Sequence, residues 1–154
     1  MAPSGETLSY AGLDSLVNLG AQRFRDGIAG GWVNAGSGYI AVMLENGIPY
    51  LAMSYALKKI DLVEVSINRA FRGLALTRMI NLTSCETLLS SPAHFDAMAD
   101  VSGDLPNLRV LIVAAGAEDA AAASRISRSS ALTACWPIAT TILSAPPPIP
   151  IPLW

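Results

Sequence analysis

The sequence has few charged residues and few side chains of the kinds that usually carry chemistry. Of its 154 residues 14% are charged, with ten Lys and Arg, twelve Asp and Glu, one His and a formal net charge of −2. The basic residues are scattered, so we expect no nucleic-acid partner, because nucleic-acid-binding surfaces concentrate Lys and Arg. No basic segment followed by an apolar one opens the chain, so we predict no signal peptide and a cytoplasmic location.

Cysteine is also scarce. The chain has two, Cys85 and Cys135, with no CxxC pair and no Cys/His cluster around either. This spacing supports neither a metal site nor a disulfide framework. We therefore predict two buried, inert thiols and no metal-ligating residue.

The last part of the chain lacks almost all charge. Residues 120–154 contain no Asp, Glu or Lys, and they hold six of the ten prolines. Prolines interrupt every helix long enough to cross a bilayer, so we predict no membrane span. We place a domain boundary here, with an organised domain over 6–118 and a Pro-rich, charge-poor, disordered tail over 119–154. No basic anchor flanks the prolines, which disfavours an SH3-type ligand.

The organised part opens with a helical pattern. Apolar residues from Leu13 onward recur at helical spacing, and Ser9 precedes them as an N-cap. We predict that this helix runs to about Asp26, with Gly27 as its stop signal.

Beyond this helix, short apolar runs alternate with helical patterns. Ser91 is predicted to cap a helix that starts at Pro92 and turns Phe95, Met98 and Ala99 inward. The other predicted helices start at Pro49 and at Gly73, and the predicted strands cover 39–44, 62–67, 86–90 and 108–113. Continuous apolar strands that alternate with helices are typical of a parallel sheet covered on both faces. The predicted fold class is therefore α/β, with a three-layer, parallel-sheet domain.

Two sets of residues have side chains that could carry chemistry, but their sequence context favours structural roles. His94, the only histidine, could be a general base, but no partner is visible near it in sequence, so we expect a partly exposed residue at a helix start. Lys58 and Lys59 close a predicted helix and are expected to be solvated there.

Two loops complete the candidate set. The glycine-rich segment "GGWVNAGSG" precedes a strand, which is the wrong order for a dinucleotide motif, and Trp32 within it is expected to pack. Asn68 and Arg69 follow a strand at the edge where α/β sheets bind ligands, while Arg72 is expected to form a surface ion pair. We predict no catalytic and no cofactor-binding residue.

Several co-linear segments resemble a known family. The segments "LSYAGLDSLVN", "AVMLENG", "YLAMSYALKKIDLVEVSIN", "FRGLAL" and "LRVLIV" follow one another with the order and spacing seen in AMP-forming acyl-CoA synthetases. The chain is similar to the N-terminal portion of these adenylate-forming enzymes, from about Glu6 to Gly116. Within the family, the segments resemble those of fatty-acid and carnitine-type CoA ligases.

This resemblance implies a two-step reaction in the full-length family, with ATP, Mg²⁺ and coenzyme A as cofactors and cosubstrates. A carboxylate forms an acyl-adenylate, and the thiol of coenzyme A then displaces AMP. The family's phosphate loop and C-terminal lysine have no counterpart here, since Lys58 and Lys59 are the only lysines. We therefore expect a truncated fragment that is inactive alone and whose partner is the missing remainder of the ligase. The alternatives are a non-catalytic binding half that pairs with a separately encoded catalytic half, or a pseudogene product.

Departures from the family pattern, together with the acid-free tail, suggest a frameshift in the gene. Gly12 stands where the family has Glu, Asp61 where it has Gly, and Ser66 where it has Pro. If "PIPIP" were encoded as CCG ATA CCG ATA CCG, reading two nucleotides later would give Asp-Thr-Asp-Thr, which resembles the family's linker before the phosphate loop. A frameshift between about 120 and 137 would thus account for the acid-free tail.

Overall fold

The computed structural model describes residues 7–31 and 33–113. Within them, helices and parallel strands alternate as the apolar pattern predicts. The α-helices are α1 (Tyr10–Ala29), α2 (Ile48–Lys59), α3 (Gly73–Thr83) and α4 (Phe95–Val101), and the strands are β1 (Tyr39–Met43), β2 (Val63–Ser66), β3 (Thr87–Ser90) and β4 (Val110–Val113). Short 3₁₀ turns at Pro92–His94 and Ser102–Asp104 flank α4.

The four strands form one parallel sheet in the order β2-β1-β3-β4. In its register, Ala41 of β1 lies opposite Val65 of β2 and Leu88 of β3, and Leu88 in turn lies opposite Leu111 of β4. The central strands are buried, whereas β2 is a partly exposed edge strand. The order places β1 and β3 in the middle of the sheet and β2 and β4 at its two edges.

Apolar clusters cover both faces of the sheet. On one face Ala41 and Met43 of β1 pack with buried residues of α3 and α4. On the other face Ile40 and Val42 pack with buried residues of α1 and α2. Successive side chains of a strand point to opposite faces, so β1 contributes to both clusters. The predicted three-layer α/β architecture is confirmed.

The start of α1 is as predicted, but its end is not. The Ser9 hydroxyl accepts a hydrogen bond from the Gly12 N–H at 3.1 Å, which makes Ser9 the N-cap. The helix then continues through Gly27, which is buried within it, to Ala29. The predicted stop at Gly27 is wrong because the chain reverses only at Gly31, whose φ is +74°.

The fourth helix starts later than predicted, and a different set of its residues faces inward. Ser91 makes no capping hydrogen bond, and the segment Pro92–His94 is a 3₁₀ turn that precedes α4. A 3₁₀ turn has 3.0 residues rather than 3.6, so it rotates the faces of the helix that follows. Met98 faces inward as predicted and Phe95 is half-buried, but Ala97 is buried and Ala99 is exposed.

Cys85 is fully buried and its thiol is free, as predicted. Burial raises the pKa of the Cys85 thiol, which keeps it protonated and unreactive. The tail and Cys135 lie outside the described residues. Within residues 7–31 and 33–113, no helix is both long and apolar enough to cross a membrane.

Candidate functional site

The carboxyl edge of the sheet gathers polar residues from three connecting segments. Glu45 follows β1, Asn68 and Arg69 follow β2, and Ser91 and His94 follow β3. All strands are parallel, so these segments emerge on the same edge. Open parallel sheets bind ligands at this edge.

Glu45, Ser91 and His94 form a compact cluster at this edge. The Ser91 hydroxyl donates a hydrogen bond to Glu45 Oε1 at 2.9 Å. His94 Nε2 lies 3.1 Å from the same oxygen. The His94 side chain is 6% exposed and that of Glu45 is 45% exposed, so the imidazole is buried while the Glu45 side chain remains in contact with solvent. We refer to these three residues as the edge cluster.

Burial makes His94 different from its prediction. We expected a partly exposed histidine, yet the residue is 5% exposed. Neither of its ring nitrogens makes a well-directed hydrogen bond to any described residue, despite the short contact with Glu45. Burial lowers the pKa of His94, the Glu45 carboxylate opposes that shift, and the positive charges of Arg72 and Arg69 add to it. The imidazole is therefore held neutral at pH 7.

Glu45 is the residue that sequence reasoning missed. In sequence, Glu45 precedes Asn46-Gly47 and resembles an ordinary turn residue. The only signal was its position directly after a buried strand, which is shared by many structural residues. The contact between Glu45 and His94 joins two loops that are far apart in sequence.

The segment after β2 is a self-contained turn. Asn68 Oδ1 accepts a hydrogen bond from the Ala70 N–H at 2.9 Å, and the Phe71 N–H donates to the Asn68 carbonyl at 3.0 Å. Arg72 Nη1 donates to the carbonyls of Arg69 and Phe71 at 2.6 and 2.7 Å. The predicted ion pair of Arg72 is not found among the described residues. This guanidinium stabilises the turn instead.

Other polar groups have structural partners. The Tyr50 hydroxyl donates to Glu64 Oε1 at 2.6 Å, and this hydrogen bond raises the pKa of Tyr50. Lys59 is exposed, as predicted, and pairs with Asp14 at 3.6 Å. Lys58 is exposed too, with its ammonium 5.3 Å from the centre of the Tyr55 ring. None of these contacts involves Glu45, Ser91 or His94.

The glycine-rich loop before β1 has a structural role. Thr87 Oγ1 donates to the Asn34 carbonyl at 2.6 Å and accepts from the Asn34 N–H at 3.1 Å, which fixes the loop to β3. Gly31 and Gly38 both have positive φ. Trp32 lies outside the described residues.

The chemistry available at the edge is limited. The Ser91 hydroxyl bonds to Glu45 and not to His94, so the three residues are not ordered as a nucleophile, a base and an orienting acid. No group of three His, Cys, Asp or Glu side chains within the described ranges could hold a metal ion. The edge cluster can hold or release one proton at His94, with Glu45 beside it.

No protein-family model and no curated protein matches this chain. Solved structures do. The A-PCP didomain of carboxylic acid reductase from Segniliparus rugosus, in complex with AMP, is 21% identical with a TM-score of 0.66, over 94% of this chain and 22% of that one. The adenylation (A) domain of the carboxylate reductase from Mycobacterium chelonae is 17% identical with a TM-score of 0.64, over 94% of this chain and 24% of that one.

The anthranilate CoA ligase AuaEII, in complex with anthranoyl-AMP, is 12% identical with a TM-score of 0.57, over 73% of this chain and 21% of that one. This chain has the fold of part of an adenylation domain. It spans about a quarter or less of the length of these three proteins. At such low identity the likeness concerns the fold, which is the parallel three-layer arrangement expected from the sequence.

Proposed function

We propose that this chain is a fragment of an adenylate-forming acid–CoA ligase of the acyl-CoA synthetase type. The observation that supports this proposal is the shared fold. This chain has a parallel β2-β1-β3-β4 sheet with helices on both faces, and 94% of the chain matches the structure of an adenylation didomain. The resemblance of the sequence segments to fatty-acid and carnitine-type CoA ligases gives the finer assignment. On this proposal the complete protein acts in fatty acid metabolism.

The proposed reaction of the complete protein has two steps. A carboxylate oxygen attacks the α-phosphorus of ATP, and pyrophosphate leaves to give the acyl-adenylate. The sulfur of coenzyme A then attacks the acyl carbon, and AMP leaves. Mg²⁺ and a phosphate loop would neutralise the charge that develops at the phosphates.

We propose that this chain alone does not catalyse either step. A polyphosphate needs several backbone N–H groups and a cation in one loop, and the sequence has no Ser/Thr/Gly-rich loop that contains a lysine. The contribution of the described residues is a folded part of the scaffold. The edge cluster holds one carboxylate and one neutral imidazole, which offers no comparable site for a triphosphate.

Carboxylate-dependent exchange of pyrophosphate into ATP tests this proposal. The purified chain should show no exchange with a panel of fatty acids and aromatic acids. A chimera in which residues 7–113 replace the matching segment of an active acyl-CoA ligase should retain exchange, because the two segments share a fold. The same ligase with that segment deleted is the control. A chimera as inactive as the deletion would contradict the proposal.

A binding half that pairs with a separate catalytic polypeptide is the second candidate. It is favoured by two large apolar residues of α3, Leu74 and Leu82, which are 64% and 80% exposed. A second polypeptide that covered Leu74 and Leu82 would remove their apolar surface from water, which favours association. Here we propose that the cover is the remainder of an adenylate-forming enzyme.

Co-purification tests this candidate. A tagged chain should retain a polypeptide that carries a phosphate loop, and Leu82→Lys should abolish retention while the exposed Arg78→Lys should not. The nucleotide sequence beyond the coding region decides the frameshift and pseudogene hypotheses. A phosphate loop in another frame would support them, and its absence would contradict them.

A further inference from the structure

The edge cluster joins two loops that lie far apart in the chain. Ser91 Oγ and His94 Nε2 both approach one oxygen of Glu45, at 2.9 and 3.1 Å. Glu45 begins the connection from β1 to α2, and Ser91 and His94 lie in the connection from β3 to α4. The Glu45 carboxylate therefore connects the segments that follow the two central strands, in addition to the backbone hydrogen bonds that pair β1 with β3.

The burial of His94 favours its neutral form. The side chain is 6% exposed, and neither ring nitrogen has a well-directed hydrogen bond within the described residues. A protonated imidazole carries two N–H donors: the one at Nε2 would face Glu45 Oε1 at 3.1 Å, but the one at Nδ1 would be buried without a partner among the described residues. Such a group costs far more free energy than a neutral one.

The charges that face His94 come from two other elements. Glu45, after β1, favours the protonated form, while Arg69 and Arg72, in the turn between β2 and α3, disfavour it. The Glu45 side chain is 45% exposed, so solvent screens its attraction. Burial and two positive charges together outweigh this one carboxylate.

We propose that the edge cluster is a proton-sensitive latch: it is closed while His94 is neutral, and protonation of His94 opens the two loops that it joins. Opening lets the imidazolium reach water and frees the Glu45 carboxylate at the carboxyl edge of the sheet. The rest of the three-layer core stays folded. Acidification thus changes the edge where α/β sheets bind ligands and leaves the scaffold intact.

The direction of the pH effect follows from the pKa of His94. Because burial lowers this pKa in the closed state, the open state binds a proton more tightly, and the closed state loses stability as the pH falls below the ordinary histidine value of about 6.5. If the closed state stayed neutral at pH 5, the open population would rise roughly 30-fold between pH 7.5 and pH 5. Any residual protonation of the closed state makes this factor smaller.

NMR of the intact chain tests the latch directly, because His94 is the only histidine and its ring signal needs no assignment. The ring should titrate below the value measured for the same chain in urea. Amide exchange, corrected for intrinsic rates, should accelerate at pH 5 for His94 and Phe95, whose N–H groups bond to Ser91 and Pro92 carbonyls. Amides of α1 should keep their protection.

Two charge-removing variants sharpen the test. Glu45→Gln removes the charge that favours protonation, so it should lower the pKa of His94 further. Glu64→Gln removes the same charge at a residue that bonds Tyr50 instead, and it should leave the titration of His94 unchanged. A ring that titrates at or above its urea value, or an acid-induced loss of protection that is equal in α1 and at His94, would overturn the proposal.

Discussion

Replacing Gly20 by alanine tests how closely α1 and α2 approach each other. Gly20 is buried in α1, and a Cβ atom there would lie 2.8 Å from Met53 Cε and 3.0 Å from Ala56 Cβ, both in α2. Unstrained carbon atoms stay about 3.5–4.0 Å apart. The Met53 methyl group can move, but Ala56 Cβ is fixed to the backbone, so the helices must separate slightly.

Two opposing terms set the size of the effect. Alanine in place of glycine inside a helix stabilises by about 0.8–1.0 kcal/mol. An extra methyl group in a packed core costs about 1–3 kcal/mol. We therefore expect Gly20→Ala to lower the free energy of unfolding by about 1 kcal/mol. Gly20→Val adds two more methyl groups and a smaller gain in helix propensity, so its loss should be larger.

Urea denaturation followed by circular dichroism measures these changes. With an m-value near 2 kcal/mol/M, a loss of about 1 kcal/mol moves the midpoint down by roughly 0.5 M. Gly103→Ala is the matched control, because a Cβ atom there meets nothing within 4 Å. That control should stay within about 0.5 kcal/mol of the unaltered chain.

A double-mutant cycle locates the clash. Met53→Ala alone should cost about 2–5 kcal/mol, since Met53 is buried. Once the Met53 side chain is removed, Gly20→Ala should cost less than it does in the unaltered chain, because its nearest neighbour is gone. If Gly20→Ala instead stabilises the chain by the full helix-propensity gain, α1 and α2 are farther apart than the structure places them.

Three further predictions concern single hydrogen bonds and one backbone angle. Ser9→Ala removes the N-cap of α1 and should cost about 1 kcal/mol in thermal unfolding, and an unchanged melting curve would contradict the cap. Asp61 has a φ of +60°, so Asp61→Val should lower the free energy of unfolding by about 1–2 kcal/mol while Asp61→Gly does not, and equal effects would refute this source of strain. Thr87→Val removes the hydroxyl that bonds both the N–H and the carbonyl of Asn34. It should therefore lower the free energy of unfolding by about 1–3 kcal/mol and speed exchange of the Asn34 amide.

The strands could be predicted closely because burial leaves a direct mark on the sequence. The observed strands begin and end within two residues of the predicted runs 39–44, 62–67, 86–90 and 108–113. The buried strand β1 is an unbroken apolar run, whereas the partly exposed β2 is marked by its β-branched residues Val63 and Val65. The same runs, alternating with helices, were enough to predict the parallel three-layer fold.

Errors arose where a residue's environment is set by distant parts of the chain. Gly27 has the local signature of a helix stop, but its position in the core keeps α1 helical to Ala29. His94 has the local signature of an exposed helix start, yet it is buried beside Glu45. The burial of Gly27 and of His94 depends on residues distant in sequence and produces no periodic pattern. The apolar pattern therefore predicts the fold but not the edge cluster.

The residues that hold the fold together differ from those gathered at the edge of the sheet. Both faces of the sheet are covered by buried side chains from residues 24–112, so the described part of the chain contains its own two-sided core. The polar residues at the carboxyl edge contribute little apolar area to that core. Changes at Glu45 should therefore alter the latch with little loss of global stability, whereas changes at Leu88 should unfold the chain.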